Sequence, residues 1–267
     1  MRSRAGWLLV VAAVALAFLP ASAADQGPIV TKTEQSGHVR AVMTGSWKTW
    51  RGHVTIARRG RILTQRSFKG AMPESLRVGD LDADGEPEVI GTVAIGGVHN
   101  RAYSLFFTYD PSETRYRALK AWWHEVRPTI IDLNHDGATE FVAADMRFAY
   151  EFSSFGGSYF PVRVWTYRSG SLANTTTGFA SLVREDAAQL WRWYLGERRR
   201  RHADVRGILA AYQADKYLLG EHNDGWRRLE VAYRRGELGR GPNDGWPTGK
   251  RYLWKLRHFL HRTGYAR

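Results

Sequence analysis

With 267 residues, the chain is long enough for one large domain or two smaller ones with a substantial core. It has no cysteine, so disulfides and thiol catalysis are excluded, and any staple for its loops must be of another kind, a metal first among them. Lys and Arg number 39 against 26 Asp and Glu, and the net charge of +13 suits contact with anionic surfaces.

Residues 1–23 read as a secretory signal peptide. Arg2 and Arg4 form its basic start, Leu8 to Leu19 its apolar core, and Ala21-Ser22-Ala23 a small-residue cleavage signal. The apolar run from Trp7 to Leu19 is shorter than the roughly 20 residues a bilayer span needs, which argues against a retained anchor. Export puts the mature chain in a secreted or extracytoplasmic, cell-envelope setting with no later transmembrane span. It also makes nucleic acid a poorer partner than an anionic envelope polymer, a carbohydrate or a protein.

Residues 24–178 are rich in β-branched and aromatic residues broken by turn signals. "HVTIA" runs into Arg59-Gly60, "SLFFTYD" into Pro111-Ser112, and "FPVRVWTYRSGSL" carries Ser169-Gly170 at its tip. Val162, Val164 and Thr166 alternate with Arg163, Trp165 and Tyr167, the period-two pattern of a strand. Antiparallel strands joined by hairpins are expected here.

Within this region "DLDADGEPE" sets five carboxylates, Asp80, Asp82, Asp84, Glu86 and Glu88, in nine residues of a basic chain. Counted from Asp80, carboxylates fall at positions 1, 3, 5 and 9, Gly85 at position 6 permits a sharp turn, and the Glu86 carbonyl at position 7 faces inward. Those are the hard oxygen donors that Ca²⁺ prefers. "DLNHDGATE" repeats the register 132 − 80 = 52 residues later, with Asp132, Asn134, Asp136, Gly137, the Ala138 carbonyl and Glu140. Two carboxylates about 4 Å apart at an effective dielectric near 20 repel by roughly 4 kcal/mol, so an empty first loop should splay, and a bound cation reverses the sign. Mg²⁺ suits such a loop poorly because it demands tighter octahedral geometry. An EF-hand is excluded, since its position 12 falls on Gly91 and Ala143 rather than Glu.

An Asp-x-Asp-x-Asp-Gly-x-x-Glu loop leading into a strand resembles the calcium loops of FG-GAP or VCBS repeats, as in the integrin alpha propeller. The resemblance implies that Asp80, Asp82, Asp84 and Glu88, and likewise Asp132, Asn134, Asp136 and Glu140, ligate Ca²⁺ from a loop between two strands of a blade. Phe-Gly and Gly-Ala-Pro signatures are missing, and only two repeats are visible. The layout from leader to helical tail also resembles uncharacterised exported VCBS-repeat proteins of bacteria.

Beyond Gly178 the pattern turns helical. "FASLVREDAAQLWRWYLGERRRR" places Phe179, Leu182, Val183, Ala187, Leu190 and Tyr194 at helical spacing, and "DVRGILAAYQADKYLLG" stops at Gly220. "WRRLEVAYRRGEL" and "PTGKRYLWKLRHFLHR" follow, the second with Pro247 near its first turn. "NDGW" occurs twice, at Asn223 and Asn243, and reads as turn punctuation before a helix. No helix reads as strongly one-sided and basic, which weighs against docking on an anionic membrane.

Catalytic signatures are sparse. Gly-x-Ser-x-Gly is missing, His124-Glu125 lacks a second histidine because that position is Pro128, and no glycine-rich phosphate loop appears. Glu113 and Glu125 form a nominal acid and base pair that nothing in the sequence brings together.

These observations specify an α+β chain in three parts: a leader over 1–23, antiparallel propeller-like β-sheets with two Ca²⁺-loop hairpins over 24–178, and a C-terminal α-helical cap over 179–267. The expected role is a non-enzymatic calcium-binding module, structural or adhesive at the cell envelope, with two Ca²⁺ sites. The alternative is a secreted hydrolase or carbohydrate-active accessory domain that uses the loops as scaffold.

Overall fold

The computed structural model describes residues 27–97, 99–200, 203–239 and 245–266, so the signal peptide expected over residues 1–23 lies outside the described residues. Twelve strands form three four-stranded antiparallel sheets in chain order. The first comprises β1 (Ile29–Ser36), β2 (Val39–Ser46), β3 (Arg51–Arg58) and β4 (Arg61–Lys69). The second comprises β5 (Met72–Gly79), β6 (Glu88–Ile95), β7 (Arg101–Asp110) and β8 (Arg115–His124). The third comprises β9 (Thr129–Ile131), β10 (Glu140–Ala144), β11 (Val162–Arg168) and β12 (Ser171–Asn174). Two-residue hairpins at Arg59-Gly60 and Ser169-Gly170 have positive φ at both positions (48° and 77°, 46° and 80°), the turn whose twist matches antiparallel strands.

The second sheet is buried on both faces, and its alternation shows how. Val89, Val93, Leu105 and Phe107 join Met43, Val54 and Ile56 of the first sheet in one core. Their neighbours Ile90 and Phe106 join Phe141 and Tyr167 of the third sheet in another. Because side chains alternate across a strand, one sheet can serve two cores. The near-continuous apolar run of β6 is the sequence expression of that double burial.

The propeller-like arrangement is therefore corrected. The sheets are layered in series, and among the described strands none pairs across from one sheet to another and no ring or barrel closes. Three blades are fewer than a closed ring uses, and α1 packs on β11 of the last sheet. The expectation of a mere helical cap is corrected too. Helices α1 (Ala180–Glu197), α2 (Arg206–Leu218), α3 (His222–Arg234) and α4 (Gly249–Arg262) own a separate core, built around the almost wholly buried α2. The α+β class itself stands.

The first "NDGW" is not a turn. Asn223 to Trp226 lie inside α3, where Asp224 pairs with Lys216 at 3.0 Å. Gly225 packs so closely on α2 that a Cβ would come within 2.0 Å of Gln213 Oε1. Asn243 and Asp244 of the second copy lie outside the described residues. No helix of the described residues is long and apolar enough to cross a membrane. α4 overturns the expectation that no helix is one-sidedly basic, since all its exposed charges are cationic.

Candidate metal centre

The first acidic stretch connects β5 to β6, and its backbone is folded by its own side chains. Asp80 accepts from the Asp82 N–H at 3.3 Å and from the Gly85 N–H at 2.8 Å, and Asp84 Oδ1 accepts from the Glu86 N–H at 2.8 Å. Glu88, the first residue of β6, reaches back so that its Oε2 accepts from the Leu81 N–H at 3.0 Å. Ala83 and Gly85 have φ of 62° and 86°, and the glycine is the cheap choice for the second of these.

The second stretch, between β9 and β10, repeats the conformation position for position. Gly137 N–H donates to Asp132 at 3.0 Å, Ala138 N–H to Asp136 at 2.8 Å, and Leu133 N–H to Glu140 at 2.9 Å. His135 and Gly137 have φ of 58° and 86°. Matching registers in sequence thus become closely similar loops in space, although in the second it is the Asp136 N–H that donates to Asp132 Oδ1 at 3.2 Å.

Their electrostatics differ. In the first loop, Asp80, Asp82 and Glu88 bring one carboxylate oxygen each within 4.8 Å of one another. Asp82 is 9% exposed and Glu88 1% exposed, yet Asp82 Oδ1 and Glu88 Oε1 are buried oxygens with no hydrogen-bond partner. Burial pushes the Glu88 carboxyl up to about 8, with Asp82, Asp84 and Asp80 adding to the rise. Two buried carboxyl oxygens without partners, on two residues of one acidic trio, are costly unless a proton or a cation sits among them. Hard oxygens of this kind, with the Glu86 carbonyl available, fit Ca²⁺. Asp84 stands outside the close trio, and the Glu86 side chain turns away, which leaves its carbonyl as the donor for the loop.

In the second loop the charges already have partners. Arg168 lies 3.2 Å from Asp136, and the Thr166 hydroxyl donates to Glu140 Oε1 at 3.3 Å. The Ala138 N–H and the Asn134 amide hold Asp136 below the usual carboxylate range, and Arg168 assists. Among the described residues, the acids of this loop form no metal-sized group. Asp132, Asn134, Asp136, Ala138 and Glu140 keep the register of a site without its unmet charge.

The first loop is also where the three sheets meet. Glu86 pairs with Arg58 of β3, and its Oε1 lies 3.4 Å from His38 Nε2 in the β1–β2 turn. Asp82 Oδ2 accepts from the Ser169 N–H of the β11–β12 turn at 2.5 Å. The Leu81 carbonyl accepts from the Thr139 N–H of the second loop at 2.7 Å, and a Cβ on Gly137 would touch Ala83 at 3.3 Å. None of these long-range partners has a signal in the spacing of acids; Ser169-Gly170 is legible only as a turn.

The nominal catalytic groups stay apart. Glu113 pairs with Arg115, Glu125 lies 3.5 Å from His99, and His124 is exposed beside the buried Trp123. A cavity of about 550 Å³ lies away from the loops, at the C-terminal ends of α2 and α4, lined in part by Arg163, Tyr217, His222, His261 and Tyr265. Its basic lining comes from three different elements: Arg163 of β11, which pairs with Asp145 at 3.2 Å, His222 at the start of α3 and His261 in the last turn of α4.

Residues 183–264 match the family described as the sll0997 C-terminal domain, a span that takes in α1 from Val183 onward, the other three helices and neither loop. A relative, the "Probable thylakoid lumen protein sll0997" of Synechocystis sp. (strain ATCC 27184 / PCC 6803 / Kazusa), is 30% identical over 195 residues. The alignment takes in 71% of this chain and 57% of the relative, so the chain spans little more than half the relative's length. No solved structure matches the chain. A lumen lies outside the cytoplasm, and the extracytoplasmic location expected from the leader is borne out by this relative.

Proposed function

We propose that the chain is a calcium-binding module of an extracytoplasmic compartment, in which one Ca²⁺ in the first loop locks three sheets into a rigid surface for structural or adhesive contacts at the envelope. The observation that carries this reading is the pair of buried, unpartnered oxygens, Asp82 Oδ1 and Glu88 Oε1, within the Asp80, Asp82 and Glu88 trio. Asp80, Asp82 and Glu88 supply the charge and the Glu86 carbonyl a neutral donor. Asp84 completes the set if its side chain swings inward. The place of the loop between the first two strands of a four-stranded sheet supports the likeness to FG-GAP and VCBS calcium loops.

Asp82 gives the metal its structural reach. One of its oxygens is buried without a partner while the other accepts from the Ser169 N–H of the third sheet. Glu86 ties the same loop to the first sheet through Arg58. A cation that fixes this loop therefore fixes the packing of all three sheets.

Calorimetric titration of chelator-stripped protein with CaCl₂ tests the reading. One site per chain is expected, with a dissociation constant of about 10⁻⁴ to 10⁻³ M and little competition from Mg²⁺. An absence of saturable Ca²⁺ binding would remove the basis of the reading.

A further inference from the structure

Charge placement on α4 runs against helix stability. In 14 residues it holds Lys250, Arg251, Lys255, Arg257 and Arg262 and no Asp or Glu, whereas α1, α2 and α3 each mix acids with bases. Lys250 and Arg251 occupy the first turn, where the helix dipole disfavours cations. Arg251 and Lys255 are like charges four residues apart, a repulsive spacing on a helix. Lys255 and Arg262 approach Glu151 at 3.3 and 3.6 Å, while Lys250, Arg251 and Arg257 reach no carboxylate among the described residues.

Trp254 sits in the middle of this basic face. It is 62% exposed, the highest of the large hydrophobic side chains described, and among the described residues its ring stacks only on His258, with centroids 3.9 Å apart. The opposite face, Tyr252, Leu256, Phe259 and Leu260, is buried in the helical core. α4 is thus fixed from behind and presents about 21 Å of outward-facing cations around an exposed indole. Arg257 lies over the Trp226 ring at 4.9 Å and Arg262 sits in the last turn, where the dipole favours it, but Lys250, Arg251 and the exposed indole gain nothing comparable within the described residues, and a partner outside the chain gives them a physical reason.

We propose that the outer face of α4 docks the protein on an anionic lipid bilayer. Lys250, Arg251, Arg257 and Arg262 face the headgroups, and Trp254 enters the interfacial layer. A flat anionic surface meets all four cations at once, and the headgroup region is where an amphipathic indole is most stable. The contact is peripheral, since the apolar face of the helix is already used by the fold. It is independent of the calcium reading, and the test runs in EDTA so that failure of one leaves the other standing.

Protein lacking the leader is sedimented with vesicles of phosphatidylcholine alone and of phosphatidylcholine mixed with phosphatidylglycerol. Retention is expected only on the mixed vesicles. Each Lys or Arg near such a surface is worth about five-fold in partitioning, so Lys250→Gln with Arg251→Gln should weaken it about 25-fold. Both side chains are exposed, and an unchanged melting midpoint verifies that the double variant is folded. Trp254→Phe should remove the tryptophan signal quenched by a lipid-borne quencher. Equal retention on both vesicles, no retention on either, or an undiminished double variant overturns the proposal. Tight binding to polyglutamate without vesicle binding would replace the bilayer with an acidic protein.

Discussion

Substituting Glu88 by Gln separates a metal ligand from a buried structural carboxyl. Gln has the same volume, and its side-chain oxygen can still accept from the Leu81 N–H that now lies 3.0 Å from Glu88 Oε2. What it lacks is the charge. With the three candidate ligand oxygens within 4.8 Å of one another, each like-charge pair costs about 3.5 kcal/mol at an effective dielectric of 20. Without metal the fold escapes part of that cost by holding a proton on Glu88, whose carboxyl is raised from 4.5 to about 8.

The sign follows from proton linkage. A carboxyl raised in the folded state gives stability that is full below 4.5 and is lost as pH rises through about 8. At pH 7, holding that proton costs up to about 1.36 × 2.5, or roughly 3 kcal/mol. Gln needs no proton, so Glu88→Gln in EDTA should raise the melting midpoint by roughly 6 to 12 °C for a chain of this size. Ca²⁺ at about 100 times its dissociation constant should stabilise the wild type by roughly 2.7 kcal/mol and the variant hardly at all. Thermal unfolding followed by circular dichroism at pH 7, with and without Ca²⁺, reads both effects. A variant destabilised equally in EDTA and in Ca²⁺ would refute the reasoning, because it would make Glu88 a hydrogen-bonding group and nothing more.

Other consequences are more local. Arg168→Gln should release Asp136 from its 3.2 Å ion pair, and calorimetric Ca²⁺ stoichiometry should rise from one toward two. Asp215, buried on α2 with no donor to either oxygen, is raised well above the usual range by burial and by Asp186. Its stability contribution is therefore full below the ordinary carboxylate range and lost as pH rises through the raised folded value, and Asp215→Asn should flatten the fall in urea midpoint with rising pH. Asp145 is the opposite case: burial acts to raise it, but the hydrogen bond from Arg147 and the charges of Arg163 and Arg147 hold it below the usual range. Its contribution is present at neutral pH and lost in acid. Asp145→Ala, by stranding the largely buried Arg163, should cost about 3 kcal/mol or more in the urea midpoint at pH 7.

Local chemistry was readable from the sequence where it depends on neighbours in the chain. The two acidic registers, the Arg59-Gly60 and Ser169-Gly170 turns and the helical spacing of Val183, Ala187, Leu190 and Tyr194 all correspond to observed elements. What failed depends on neighbours in space. "NDGW" at Asn223 carries turn chemistry, yet the packing of Gly225 on Gln213 and the Asp224 pair with Lys216 draw it into α3. The two loops look equivalent as spacing and differ because Arg168, 32 residues from Asp136 in the chain, reaches only one of them. Series layering of the sheets rests on Phe106 and Phe107 facing opposite cores, which a period-two pattern allows but does not assign to partners.

The central claim is that a cation at Asp80, Asp82 and Glu88 holds three sheets together, and Asp82 is the residue common to the metal trio and the contact with the third sheet. The most direct measurement is hydrogen exchange at the Ser169 and Thr139 amides, both on the third-sheet side of the seam, in EDTA and in Ca²⁺ at about 100 times its dissociation constant, for the wild type and for Asp82→Ala. The account predicts that Ca²⁺ slows exchange at both amides in the wild type by about the hundred-fold that 2.7 kcal/mol represents, and that Asp82→Ala abolishes the effect. Exchange at both amides that ignores Ca²⁺ in the wild type would contradict it.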